Sequence, residues 1–108
     1  MPPVAVMFTF SVPADKIDDA IGILGEISAA MKAEEPAVLM HVSHQRADKP
    51  GSFAFYELYP DETAFKAHGK GPIMKAAGRR LNALMEQPGK GFILSPVTGV
   101  GLPTSARP

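Results

Sequence analysis

The sequence predicts an α+β domain with a four-stranded antiparallel sheet and its helices on one face. Three observations predict it. Four stretches carry apolar residues at strand periodicity, and the stretches between them carry apolar residues at helical spacing. Their order along the chain is β-α-β-β-α-β, the split βαβ or ferredoxin-like arrangement. The central two strands are separated only by the turn Ala47-Asp48-Lys49-Pro50-Gly51, which is short enough for an antiparallel hairpin.

The first strand covers 4–11, where Val4, Val6, Phe8 and Phe10 alternate with Ala5, Met7, Thr9 and Ser11. Pro13 stops it and presets a helix start. Asp15, Asp18 and Asp19 then occupy the first turns, where the helix dipole favours anions. Ile17, Ile21, Leu24, Ile27 and Met31 recur at helical spacing, so a helix is expected over 14–33, bounded by Pro36. The second strand is read over 37–45, with Val38, Met40 and Val42 on one face and Leu39, His41 and Ser43 on the other. The third, 52–59, is rich in aromatics. Asp61 is a candidate N-cap for a short helix over 62–68, and Gly69 and Gly71-Pro72 punctuate the chain after it. A second helical stretch covers 72–86 with Ile73, Ala77, Leu81 and Leu84 as its core face, and a last strand covers 91–97. Residues 1–101 form the domain and 102–108 a C-terminal tail.

The composition narrows the function classes. The chain has 108 residues, 11 basic and 11 acidic, so its net charge is zero. That balance argues against a nucleic-acid or anionic-membrane partner. No apolar run approaches a membrane span, and Met1-Pro2-Pro3 has no basic leader. With no cysteine, thiolate nucleophiles and cysteine metal sites are excluded, and a cytoplasmic setting is expected. One sheet face lies under the helices. The other is left bare, with Val and Met on the second strand and Phe elsewhere expected on it. A bare apolar face predicts a homodimer, sheet against sheet.

His68 is the first candidate for chemistry. It closes a short helix beside a Gly-rich turn, where an imidazole can act as a base or simply cap the helix. His41 is expected to face the helices, as a pocket or a core residue. His44, three positions on, faces the other side, so the two cannot easily share a metal. Glu57 lies in an aromatic strand and needs a partner if buried, with Arg79, Arg80 or a residue of another strand as candidates. Tyr59 shares the face of Glu57 and Tyr56 the opposite one; either phenol can orient a substrate or fill a core. Lys66, Lys70, Lys75, Arg79 and Arg80 form a basic segment that is either a solvated helix face or an attractor of anions.

The run Tyr56-Glu57-Leu58-Tyr59-Pro60-Asp61-Glu62-Thr63-Ala64-Phe65-Lys66-Ala67-His68 resembles the antibiotic biosynthesis monooxygenase family, in which an aromatic-Glu-x-aromatic strand end precedes a short helix ending in His. The Pro-Ala-Asp-Lys helix start, Glu35-Pro36 before the second strand and Asp48-Lys49-Pro50-Gly51 fit the same pattern, so the resemblance covers 4–97. It implies a dimeric α/β barrel. It also implies a range of activities: cofactor-free oxidation of quinols or anthrones, haem degradation, or isomerisation. The haem-degrading branch carries an axial His in the second helix, where this chain has Gly78, and uses a Trp that this chain lacks. Where many members have a Gly after the Pro and a Tyr in the second strand, this chain has Ala37 and His41.

The resulting expectation is a homodimeric monooxygenase without cofactor or metal, acting with O2 on a small aromatic or quinol-like molecule. His68 is its catalytic residue, and His41, Tyr56, Tyr59 and Glu57 line the substrate site. An isomerase or detoxifying enzyme of a small carbonyl metabolite, and a non-catalytic ligand-binding dimer, are the alternatives.

Overall fold

The computed structural model describes residues 2–101, so the tail expected over 102–108 lies outside the described residues. The chain folds in the expected order: β1 (Val4–Ser11), a short 3-10 turn (Ala14–Lys16), α1 (Ile17–Glu34), β2 (Met40–Gln45), β3 (Ser52–Tyr59), α2 (Glu62–Lys70), a π turn (Met74–Gly78), α3 (Arg79–Leu84) and β4 (Lys90–Leu94). The strands form one antiparallel sheet in the order β2-β3-β1-β4. This is the α+β, ferredoxin-like architecture.

Strand periodicity gives the sheet two different faces. On the helix side, Phe8, Phe10, Phe53 and Phe55 form a cross-strand aromatic block. The Phe10 and Phe53 rings stack at 5.3 Å, and Phe8 and Phe55 at 5.1 Å. Helix α1 packs on this side through Ala20, Ile23, Leu24, Ile27 and Met31, all buried. The stripe is turned from the expected one. Ile21 is 46% exposed and Ile23 takes its place, because the 20-23/24-27-31 spacing keeps a straight apolar stripe on the sheet. Ile73 and Leu81 complete the core from the second helical layer.

The other face carries two apolar rows in register across all four strands: Met40, Leu58, Ala5, Leu94, and next to it Val42, Tyr56, Met7, Phe92. Met40 and Phe92 are 45% and 54% exposed. The phenylalanines expected on this face lie mostly under the helices; Phe92 is the exception. The preceding stretch, Phe53 to Phe55, takes the side of Glu57 because side chains two apart share a face.

Edge strand β4 depends on two glycines that make room for Phe8. A Cβ at Gly89 would lie 2.2 Å from Phe8 Cζ, and one at Gly91 would lie 3.5 Å from Phe8 Cδ1. Gly89→Ala is therefore expected to destabilise the fold by roughly 1–3 kcal/mol through overpacking. Gly91→Ala should be milder because its contact is ordinary. Urea unfolding of both variants checks the ranking.

Candidate functional site

Each side chain of the site is placed by its element. Strand register sets His41 of β2 directly opposite Glu57 of β3, both on the helix side. Helix α2 starts where the Asp61 carboxylate accepts the Ala64 N–H at 2.9 Å. Its last turn carries His68 down onto the same place. Helix α1 ends before Pro36, which disfavours helical geometry in the residue before it. Glu35 accordingly leaves the helix, with φ −128° and ψ 64°, and its side chain reaches His68.

These placements build a buried relay. His68 Nδ1 donates to Glu35 Oε1 at 2.6 Å. His68 Nε2 lies 3.7 Å from Glu57 Oε2, and His41 Nε2 lies 3.3 Å from the same oxygen. Tyr59 donates its hydroxyl to Glu57 Oε1 at 3.0 Å. Ser28 Oγ is 3.3 Å from His41 Nδ1. Glu57 and His68 are only 4% and 6% exposed. The partners assign the tautomers. An ionised Glu35 can only accept, so His68 carries its proton on Nδ1 and turns the Nε2 lone pair inward. His41 faces Glu57 with Nε2–H, so its Nδ1 accepts from Ser28. The 3.7 Å between His68 Nε2 and Glu57 Oε2 is too long for a hydrogen bond.

A cavity of about 560 Å³ opens on this relay. That is within the range of small-molecule sites, roughly 300–1,000 Å³. Its floor is His68, Glu57 and His41, its walls include Phe8, Phe55 and Leu24, and its lip is the π turn and the start of α3. The arrangement can take a proton from a bound apolar molecule and keep the resulting imidazolium between two carboxylates.

The structure brings three of the expected site residues together on the cavity floor: His68, His41 and Glu57. Tyr59 joins them behind Glu57, fully buried, and does not line the cavity. Tyr56 is not brought there. It lies on the opposite sheet face, between Val42 and Met7. Glu57 takes His41 and Tyr59 as partners and neither arginine; Arg80 instead pairs with Glu26 at the surface. Glu35 is the residue of this cluster that the sequence reading did not place in the site. A carboxylate immediately before a helix-ending proline was its one local signal.

Burial pushes the Tyr59 phenol well above the usual tyrosine range, and the neighbouring Glu57 charge pushes it further. The folded state therefore holds this proton more tightly than the unfolded chain does. The associated stability is whole below about pH 10 and is lost as pH rises above it. Tyr59→Phe is expected to leave the phenolate absorbance of the folded protein unchanged. It should remove amplitude only from the step at which alkali unfolds the chain, as a spectrophotometric titration would show.

A sheet of order β2-β3-β1-β4 with a cavity between it and its helices defines an α+β protein of the ferredoxin-like class. The sequence model of the antibiotic biosynthesis monooxygenase family matches residues 3–80, and the chain belongs to that family. A Caulobacter crescentus structure that carries the family's name is similar to it, with 26% identity, a TM-score of 0.83 and coverage of 90% of this chain and 92% of that one. A Mycobacterium tuberculosis protein superposes with a TM-score of 0.82 at 20% identity, over 92% of this chain and 99% of that one. SnoaB, a cofactor-independent oxygenase from Streptomyces nogalater, superposes with a TM-score of 0.81 at 17% identity, over 94% of this chain and 100% of that one. No curated protein matches the sequence.

The position aligned with the axial histidine of the haem-degrading branch offers no ligand for iron. The wall where the haem-degrading branch carries its axial histidine presents Gly78, and a Cβ there would already lie 3.1 Å from Met74 Cε. Both cavity imidazoles are held on the floor against carboxylates. Among the described residues, no helix is long and apolar enough to cross a membrane.

Proposed function

We propose that this chain is a cytoplasmic homodimeric oxygenase that uses O2 to oxidise a small aromatic or quinol-like molecule, with neither flavin nor metal. One observation carries the reading: a buried His68, held at Nδ1 by Glu35 at 2.6 Å, lines a cavity with apolar walls. The family supplies the reaction class. SnoaB, the cofactor-independent oxygenase named above, supports the reading as a neighbour in fold.

The chemistry follows from the floor of the cavity. The apolar walls bind the ring system and exclude water. His68 Nε2 takes a proton from an acidic ring hydroxyl or a ring methylene activated by its neighbours. The proton stays on the imidazolium between Glu35 and Glu57, and the electron pair stays on the substrate anion. That anion reduces O2. For a methylene, CH2 and O2 give C=O and H2O: one oxygen atom enters the substrate and the other leaves in water. All electrons come from the substrate. His41 steadies Glu57 and borders the ring, and Tyr59 acts through Glu57.

An oxygen electrode tests this with metal-stripped protein and a panel of quinols and anthrones. Uptake that follows substrate loss supports the reading. Substrate loss that continues without oxygen would favour the isomerase alternative, for which the same floor supplies a proton acceptor and a return donor. Binding of a panel compound with neither oxygen uptake nor substrate loss would favour the third alternative, a non-catalytic ligand-binding dimer, which the open cavity also suits.

The homodimer is proposed from the two apolar rows on the sheet face away from the helices, where Met40, Val42, Phe92 and Leu94 are exposed while Ala5 and Leu58 between them are buried. Two such faces exclude water from each other, and a charge placed there is desolvated in both copies. Val42→Asp with Phe92→Asp is expected to weaken self-association by at least about 100-fold. Sedimentation velocity over a dilution series reads it.

A further inference from the structure

The relay leaves the cavity lip unexplained. Residues Met74–Gly78 form a π turn running into α3, a feature that is rare and often functional. It places Lys75 and Arg79, four residues apart, on the lip together with Asn82. Among the described residues neither cation has an acidic partner. Other cations of the same basic segment do: Arg80 pairs with Glu26, and Lys66 with Glu62. The opposite end of the cavity holds Glu57, with Glu35 behind His68. The cavity is thus cationic at the mouth, apolar in the middle and acidic at the floor. The chain as a whole has zero net charge, so this polarity is local.

We propose that the substrate is an aromatic carboxylate, a flat ring system with an ionised carboxylate at the end opposite its reacting group. Arg79 and Lys75 hold the carboxylate at the lip; the planar guanidinium matches it with two parallel hydrogen bonds. The reverse orientation would set an anion against Glu57. Entry with the neutral, proton-bearing end first delivers that end to His68. The inference rests on the proposed oxygenase reading for the direction of the reacting end, and it adds Arg79 and Lys75 as specificity-determining residues.

The test is binding of 2-naphthoate against its neutral counterpart 2-naphthamide, followed through the His68 ring resonances so that only cavity binding is read. Naphthoate is expected to bind roughly five- to tenfold more tightly. Arg79→Met and Lys75→Met should each remove most of that preference while leaving naphthamide unchanged. Arg80→Met should remove none. Equal binding of the two ligands, an Arg80→Met effect as large as that of Arg79→Met, or no shift of the His68 ring with either ligand would overturn the inference. The outcome is separable from oxygen chemistry. Carboxylate preference in a protein that consumes no oxygen would overturn only the oxygenase reading, and oxygen uptake without carboxylate preference would overturn only the substrate class.

Discussion

His68→Ala is expected to lower turnover by about 10²–10⁴-fold, the range for loss of a positioned general base. The substitution removes the only nitrogen on the cavity floor that turns a lone pair to the substrate, since His41 faces Glu57 with its N–H. It also leaves Glu35 and Glu57 without the imidazolium between them, so the substrate anion would form beside two uncompensated carboxylates. The loss should fall on kcat more than on KM, because the apolar walls that bind the ring are untouched. Imidazole added from solution should restore part of the rate by entering the vacated space. A milder change, Glu35→Gln, keeps the imidazole but offers Nδ1 a neutral partner. Turnover should fall to between wild type and His68→Ala.

The largest stability effect is expected at Glu57. Glu57→Leu keeps similar volume but leaves two buried donors, the Tyr59 hydroxyl and His41 Nε2–H, without an acceptor. Each unpaired group costs roughly 1–3 kcal/mol, so the variant should lose about 3 kcal/mol. For a domain of this size that lowers Tm by roughly 15 °C. Adding Tyr59→Phe removes one of the orphaned donors, so the double variant should recover part of the loss. Thermal unfolding of the single and double variants measures the coupling directly. If Glu57→Leu melted at the wild-type temperature, the relay would not be a structural centre of the fold.

The fold was legible because its signals are local. Val4 to Phe10 alternate, Pro36 and Pro13 bound α1, and Asp61 announces α2; each depends on a few adjacent residues. The face of His41, Glu57 and Tyr59 followed from the same period of two. The pairing of His41 with Glu57 did not, because it depends on the β2-β3 register, which the hairpin sets. Glu35 was hidden for a related reason. It lies 33 residues from His68 in sequence and meets it only because two helix ends converge. The π turn was equally hidden, since Met74 to Gly78 carry no pattern distinguishing π from α geometry. Ile21 and Ile23 exchanged places because several apolar residues of α1 fit a helical stripe, and the sheet selects among them.

The central claim is that the substrate itself, deprotonated at His68, reduces O2. Turnover of an accepted quinol or anthrone under heavy-isotope O2, with metal-stripped protein, tests it most directly. The account predicts one heavy oxygen atom in each product molecule, the other in water, and one O2 consumed per turnover. Product formed at the same rate without oxygen, or carrying no isotope from O2 while the solvent oxygen is not exchanging into it, would contradict it.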